Sequence, residues 1–108
     1  MLAHLSLGVS DLTRATVFYD AVLSALRFER ILTSERSAGY GLPGTQNDRL
    51  LLIWQPELVP PGPGFHVAFK ALDHGAVQRF YAAALANGGR DAGPPGPGPH
   101  YGPDYYAA

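Results

Sequence analysis

The stretch Ala3–Leu23 is written a second time as Phe65–Leu85, and no other feature of the sequence constrains the fold as tightly. Laid over each other without a gap, His4 falls on His66, Asp11 on Asp73 and Phe18-Tyr19 on Phe80-Tyr81, while Ala21 and Leu23 fall on Ala83 and Leu85. Six of 21 positions are identical, and Leu5 and Leu7 meet Val67 and Phe69, so the apolar phase is kept as well. With only two copies, the period describes a duplicated supersecondary unit rather than a repeat array.

Each copy starts as a strand with side chains alternating between two faces. Leu5, Leu7 and Val9 share one face, and His4, Ser6 and Gly8 the other. In the second copy Val67, Phe69 and Ala71 oppose His66, Ala68 and Lys70. The apolar face suits a covering helix; the histidine face carries small neighbours that leave open space before the imidazole. An aspartate then stands as helix N-cap, Asp11 or Asp73, able to accept from a free backbone N–H. The helix that follows places Ala15, Phe18, Tyr19, Val22 and Leu23, or Val77, Phe80, Tyr81, Ala84 and Leu85, on one buried stripe. The stripe assigns Phe18, Tyr19, Phe80 and Tyr81 to the core.

Between the copies, Phe28–Thr33 and Ala38–Leu42 read as strands; the glycines around Tyr40 either weaken the second or let another group approach its backbone closely. Leu50–Trp54 (LLLIW) is a short apolar run, expected as a central strand buried on both sides. Gln55–Gly64, with four prolines and two glycines, is a stiff connector. After the second helix, Asn87-Gly88-Gly89 supplies a left-handed stop. Gly93–Asp104 holds five prolines and four glycines around His100 and Tyr101 and reads as a connector or a lid, and Tyr105–Ala108 opens a strand. A first module of about residues 1–55, a connector at 56–64 and an incomplete second module at 65–108 are thus expected within one domain. Fewer strands follow the second helix than the first. Unpaired backbone of that kind invites another chain, so either a homodimer covering the edge or a truncated polypeptide is expected.

Charge is nearly balanced at −1 with no basic run, which argues against nucleic acid as partner. Without cysteine there is no disulfide, thiolate or zinc–sulfur chemistry, and the chain suits a reducing cytoplasm. No apolar stretch has the roughly 20 residues that span a bilayer.

HLSLGVSDLTRATVFYDAVL at 4–23, FHVAFKALDHGAVQRFYAAAL at 65–85 and the tail GPPGPGPHYGPDYYAA at 93–108 resemble the vicinal oxygen chelate superfamily, which includes glyoxalases, bleomycin-resistance proteins and extradiol dioxygenases. The resemblance implies an α+β fold: two β-α-β-β-β modules, the second incomplete, forming a curved mixed sheet with helices outside. It implies a divalent metal (Fe, Mn, Ni, Zn or Co) held by His4 and His66, which match the first-strand ligand positions of the two modules. The carboxylate that normally joins them would follow the Tyr-Tyr-Ala-Ala strand, and neither it nor its Asp-Pro-Asp-Gly turn is in this sequence. Fold resemblance does not choose a reaction.

A lone strand histidine is ordinarily structural; the pairing of His4 with His66 across the repeat is what points to metal ligation. Tyr40, Trp54, His100, Tyr101 and Tyr105 are the candidates for substrate contact, with His100 open also as a third ligand, an acid/base or an exposed residue. No catalytic base is assigned. Arg27, Glu29, Arg30, Glu35 and Arg36 read as a solvated face. Two functions are weighed: a divalent-metal-dependent lyase, isomerase or ring-cleaving enzyme acting on a small substrate with vicinal oxygens, and a metal-free drug-binding or resistance protein using a dimer cleft.

Overall fold

The computed structural model describes residues 2–108. Strand β1 (Leu5–Val9) leads into helix α1 (Leu12–Ser24), then β2 (Glu29–Thr33), β3 (Ser37–Gly41) and β4 (Leu50–Trp54). The second half contributes helix α2 (His74–Ala86) and two short strands, β5 (Gly96–Pro97) and β6 (Tyr106–Ala107), with a 3-10 turn at Pro99–Tyr101 between them.

The first four strands form one sheet in the order β1-β4-β3-β2, with β4 parallel to β1 and antiparallel to β3. The remaining two pair antiparallel as a separate sheet. The expected mixed sheet is therefore in two pieces. Both helices start as the repeat requires: Asp11 accepts from the N–H of Arg14 at 3.0 Å and Asp73 from that of Ala76 at 2.7 Å. Each side chain satisfies one of the donors a helix start leaves free. Helix α2 ends at Asn87, with Gly88 at φ 97° and the Gly89 N–H reaching back to the Ala84 carbonyl at 2.7 Å. Helix α1 ends through Arg27 at φ 64°, which lets Phe28 donate to the Leu23 carbonyl at 3.0 Å.

The core lies between the four-stranded sheet and the helices: Val22, Leu23 and Leu26 meet Ala38, Tyr40, Leu50 and Leu52, with Ala76 from α2. Phe18, Tyr19 and Phe80 pack against it half-buried. Strand β4 is central, yet only its helix side is buried, at Leu50 and Leu52; Leu51 and Ile53 are half-buried, and Trp54 is exposed. A two-sided burial of the LLLIW run is not what forms, because among the described residues no layer covers the far side of the sheet there.

Residues 65–71, expected as a strand by the repeat, form none among the described residues; their one backbone hydrogen bond runs from the Phe65 N–H to the Gly62 carbonyl at 3.3 Å. A strand exists only with a neighbour to accept and donate its ladder bonds, and the position β4 takes beside β1 has no counterpart here. The Pro/Gly stretch 93–104 carries β5 and the 3-10 turn of the β5–β6 hairpin, which is closed by the Gly98 N–H donating to the Tyr105 carbonyl at 3.0 Å. No helix is long and apolar enough to cross a membrane among the described residues.

Candidate functional site on the uncovered sheet face

Strand register decides which side chains share the face turned away from the helices. Ser6 stands beside Leu51, Leu51 beside Gly39, and Gly39 beside Leu32, across all four strands. The next row sets Gly8 beside Ile53 and Ile53 beside Ser37. His4, exposed, precedes β1 in the same phase as Ser6 and Gly8. A bulge between Arg30 and Leu32 keeps Leu32 on this face while Arg30 stays on the helix side.

The result is an apolar floor, Leu51 and Ile53, between small neighbours. Two segments wall it. At one end the 43–48 loop folds over β3, so that a Cβ on Gly41 would stand 2.5 Å from the Asn47 carbonyl and one on Gly39 3.1 Å from Asp48. At the other, Leu58 and Gln55 lean on Gly8, within 3.1 and 3.2 Å of where its Cβ would be. Chemically, such a surface offers dispersion contact from below and polar groups (the Ser6 hydroxyl, the His4 imidazole) at the side.

A second hollow of about 760 Å³ lies elsewhere, between the 66–72 segment and Tyr105–Ala108, with Val77 and Phe80 of α2 among its lining residues. His66 and Tyr105 line it; His4 does not. Among the described residues no three His, Cys, Asp or Glu side chains stand together. A two-histidine, one-carboxylate centre needs three protein donors, so the residues present do not fit a resident divalent ion.

The other candidate residues are scattered. Tyr40 is 1% exposed and points to the helix side, where its hydroxyl donates to Asp20 at 2.7 Å. Burial first, and then the hydrogen bond to Asp20 and its negative charge, hold the Tyr40 phenol far above its ordinary pKa. The pairing of Tyr40 with Leu50 explains its direction: it shares the buried phase of β3 with Ala38, and the glycines beside it belong to the opposite face. Trp54 closes β4 on the helix-side phase, its Nε1 donating to the Ser10 carbonyl at 3.2 Å and its ring 6.0 Å from the Arg36 guanidinium. His100 is exposed in the 3-10 turn. Tyr101 and Tyr105 pack against each other with ring centroids 4.7 Å apart, over Gly98, and away from the four-stranded sheet's row. The charged residues Arg27, Glu29, Arg30, Glu35 and Arg36 are all exposed, with Arg30 paired to Asp20 at 3.1 Å.

Leu51 and Ile53 escaped the sequence reading because a continuous apolar run hides its own alternation. The signal for them is indirect: small residues at Ser6, Gly8 and Gly39 leave their side chains no cover.

A β-α-β-β-β unit with one open sheet face, followed by a second helix capped and patterned like the first, defines a class of duplicated α+β proteins. Over residues 1–106 the sequence matches the Glyoxalase/Bleomycin resistance protein/Dioxygenase superfamily, and the chain belongs to that superfamily. Among solved structures it is similar to the crystal structure of a glyoxalase/bleomycin resistance protein from Albidiferax ferrireducens T118, with a TM-score of 0.77 and 27% identity over 89% of this chain and 79% of that one. No curated protein sequence matches it.

Proposed function

We propose that the chain binds a small molecule carrying vicinal oxygens on the uncovered face of its four-stranded sheet. The observation that carries this reading is the row Ser6–Leu51–Gly39, where small residues flank a half-buried leucine on the side away from the helices. Leu51 and Ile53 supply the apolar contact. The Ser6 hydroxyl and the His4 imidazole, each able to donate or accept, hold the ligand's oxygens. Membership of a superfamily that spans glyoxalases, resistance proteins and dioxygenases agrees with a small ligand while leaving the chemistry open.

The equivalence of His4 and His66 favours a second reading, a divalent-metal-dependent lyase, isomerase or dioxygenase working as a homodimer. That reading requires a third donor beyond the two histidines. Calorimetric titration of EDTA-treated protein with catechol, and with the methylglyoxal–glutathione adduct, separates the two. Saturable binding without metal, weakened about tenfold or more in Ser6→Trp, is the expected result. Binding seen only after Mn²⁺ is restored, and lost in His4→Ala and His66→Ala, overturns the first reading in favour of the second.

A further inference from the structure

Gly39 has no side chain, yet it is buried, on the sheet face that carries no helix. Two neighbours take the space its side chain would fill. The Cβ of Leu32 stands 3.2 Å from where a Cβ on Gly39 would be, and the Cβ of Asp48 stands 3.1 Å from the same point. The 43–48 loop thus lays a carboxylate-bearing residue onto the row Ser6–Leu51–Gly39, next to the half-buried Leu51. The carboxylate oxygens lie two bonds beyond that Cβ, so no rotamer carries the charge away from this end of the row.

Asp48 is half-buried and has no cation of its own: the ion pairs among the described residues join Arg30 to Asp20 and Arg79 to Asp73. Two further charged residues belong to this end of the sheet. Glu29 is paired in register with Gly41, and Arg49 enters β4 with its carbonyl accepting from the Leu5 N–H. Both are exposed, where an ionic contact is worth little. A carboxylate packed among apolar side chains is screened less, and a cation brought to it gains more. The face is therefore unequal at its two sides. The Ser6 hydroxyl and the His4 imidazole stand along β1, and a fixed negative charge stands over β3.

We propose that Asp48 makes this face select a cationic ligand: a small molecule with vicinal oxygens at one end and an ammonium at the other, lying across Leu51 with the ammonium over Gly39. The proposal rests on the ligand surface argued above and adds what that surface selects. Two strand spacings, about 10 Å, separate Ser6 from Gly39. An aromatic diol with a two-carbon amine arm spans that distance with a hydrogen bond at each end. A carboxylate on the same arm meets a like charge at the same place.

The test is calorimetric titration of the EDTA-treated chain with catechol, dopamine and dihydrocaffeate, which share the diol and differ in the arm. Dopamine is expected to bind about tenfold or more tighter than catechol, and dihydrocaffeate more weakly than either. In Asp48→Asn, which keeps the side chain's size, the advantage of dopamine is expected to fall below about threefold while the affinity for catechol changes less than about twofold. Asp48→Ser is a second neutral variant with the same expected result, and the amide signals of Val22 and Leu52 report that each variant keeps its core. Equal binding of dopamine and dihydrocaffeate to the parent chain, or a dopamine advantage that survives in both variants, would overturn the proposal and leave catechol binding on this face intact. Absence of binding by all three probes would overturn the ligand surface and this selectivity together.

Discussion

The Tyr40 hydroxyl donates to the Asp20 carboxylate at 2.7 Å, and the other oxygen of Asp20 receives Arg30 at 3.1 Å. One carboxylate on α1 thereby ties down both β3 and β2, fixing the helix against the buried side of the sheet and leaving the opposite side open. Because burial and Asp20 raise the Tyr40 pKa, the native state keeps a proton that the unfolded chain releases near pH 10. Its contribution is complete below that pH and falls as pH rises above it. Denaturant titrations from pH 8 to 11 are expected to show stability declining above about pH 10. In Tyr40→Phe the decline is shallower, and the protein is less stable at pH 8 by about 1.5 kcal/mol, the low end for a bond to a charged group.

Gly41 is required by the loop that crosses it. An added Cβ would stand 2.5 Å from the Asn47 carbonyl oxygen and 2.8 Å from Ile31 Cδ1, and backbone does not give way as a side-chain end does. Gly41→Ala is expected to cost about 1–3 kcal/mol, the range for overpacking, read as a lower denaturation midpoint with unchanged slope. A midpoint equal to the parent's would mean that the 43–48 loop does not wall the sheet face.

Arg27 takes the left-handed conformation that ends α1, at φ 64°, where glycine is unstrained. The side chain is exposed. Relief of the left-handed strain, about 1–2 kcal/mol, outweighs the roughly 0.5–1 kcal/mol entropy cost of a glycine, so Arg27→Gly is expected to stabilise the chain by about 0.5–1 kcal/mol, seen as a higher melting temperature. A lower melting temperature would show that the arginine makes a stabilising contact in solution.

Much of this architecture is legible in the repeat. Asp11 and Asp73 cap their helices, Asn87-Gly88 ends the second, and Leu50–Trp54 is a strand of those bounds. What local pattern cannot supply is a partner. Val67, Phe69 and Ala71 alternate like Leu5, Leu7 and Val9, yet only the second set has β4 alongside to bond with. Tyr40 shows the same limit: as an aromatic in a short strand it reads as a candidate for substrate contact, whereas the register of β3 with β4 sends it into the core and the glycines to the other side. On the candidate ligand face, the phase of His4, Ser6 and Gly8 was readable. The floor beneath it, Leu51 and Ile53, was not, because it emerges only from pairing.

Ligand binding on the uncovered sheet face is tested most directly by amide chemical-shift mapping of the isotopically labelled chain titrated with catechol after EDTA treatment. The account predicts saturable shifts centred on Ser6, Gly8, Leu51 and Ile53, moved to about tenfold or more higher catechol in Ser6→Trp while the core signals of Val22 and Leu52 stay in place. Shifts confined to residues 66–72 and 105–108, or none at saturating catechol, would contradict it.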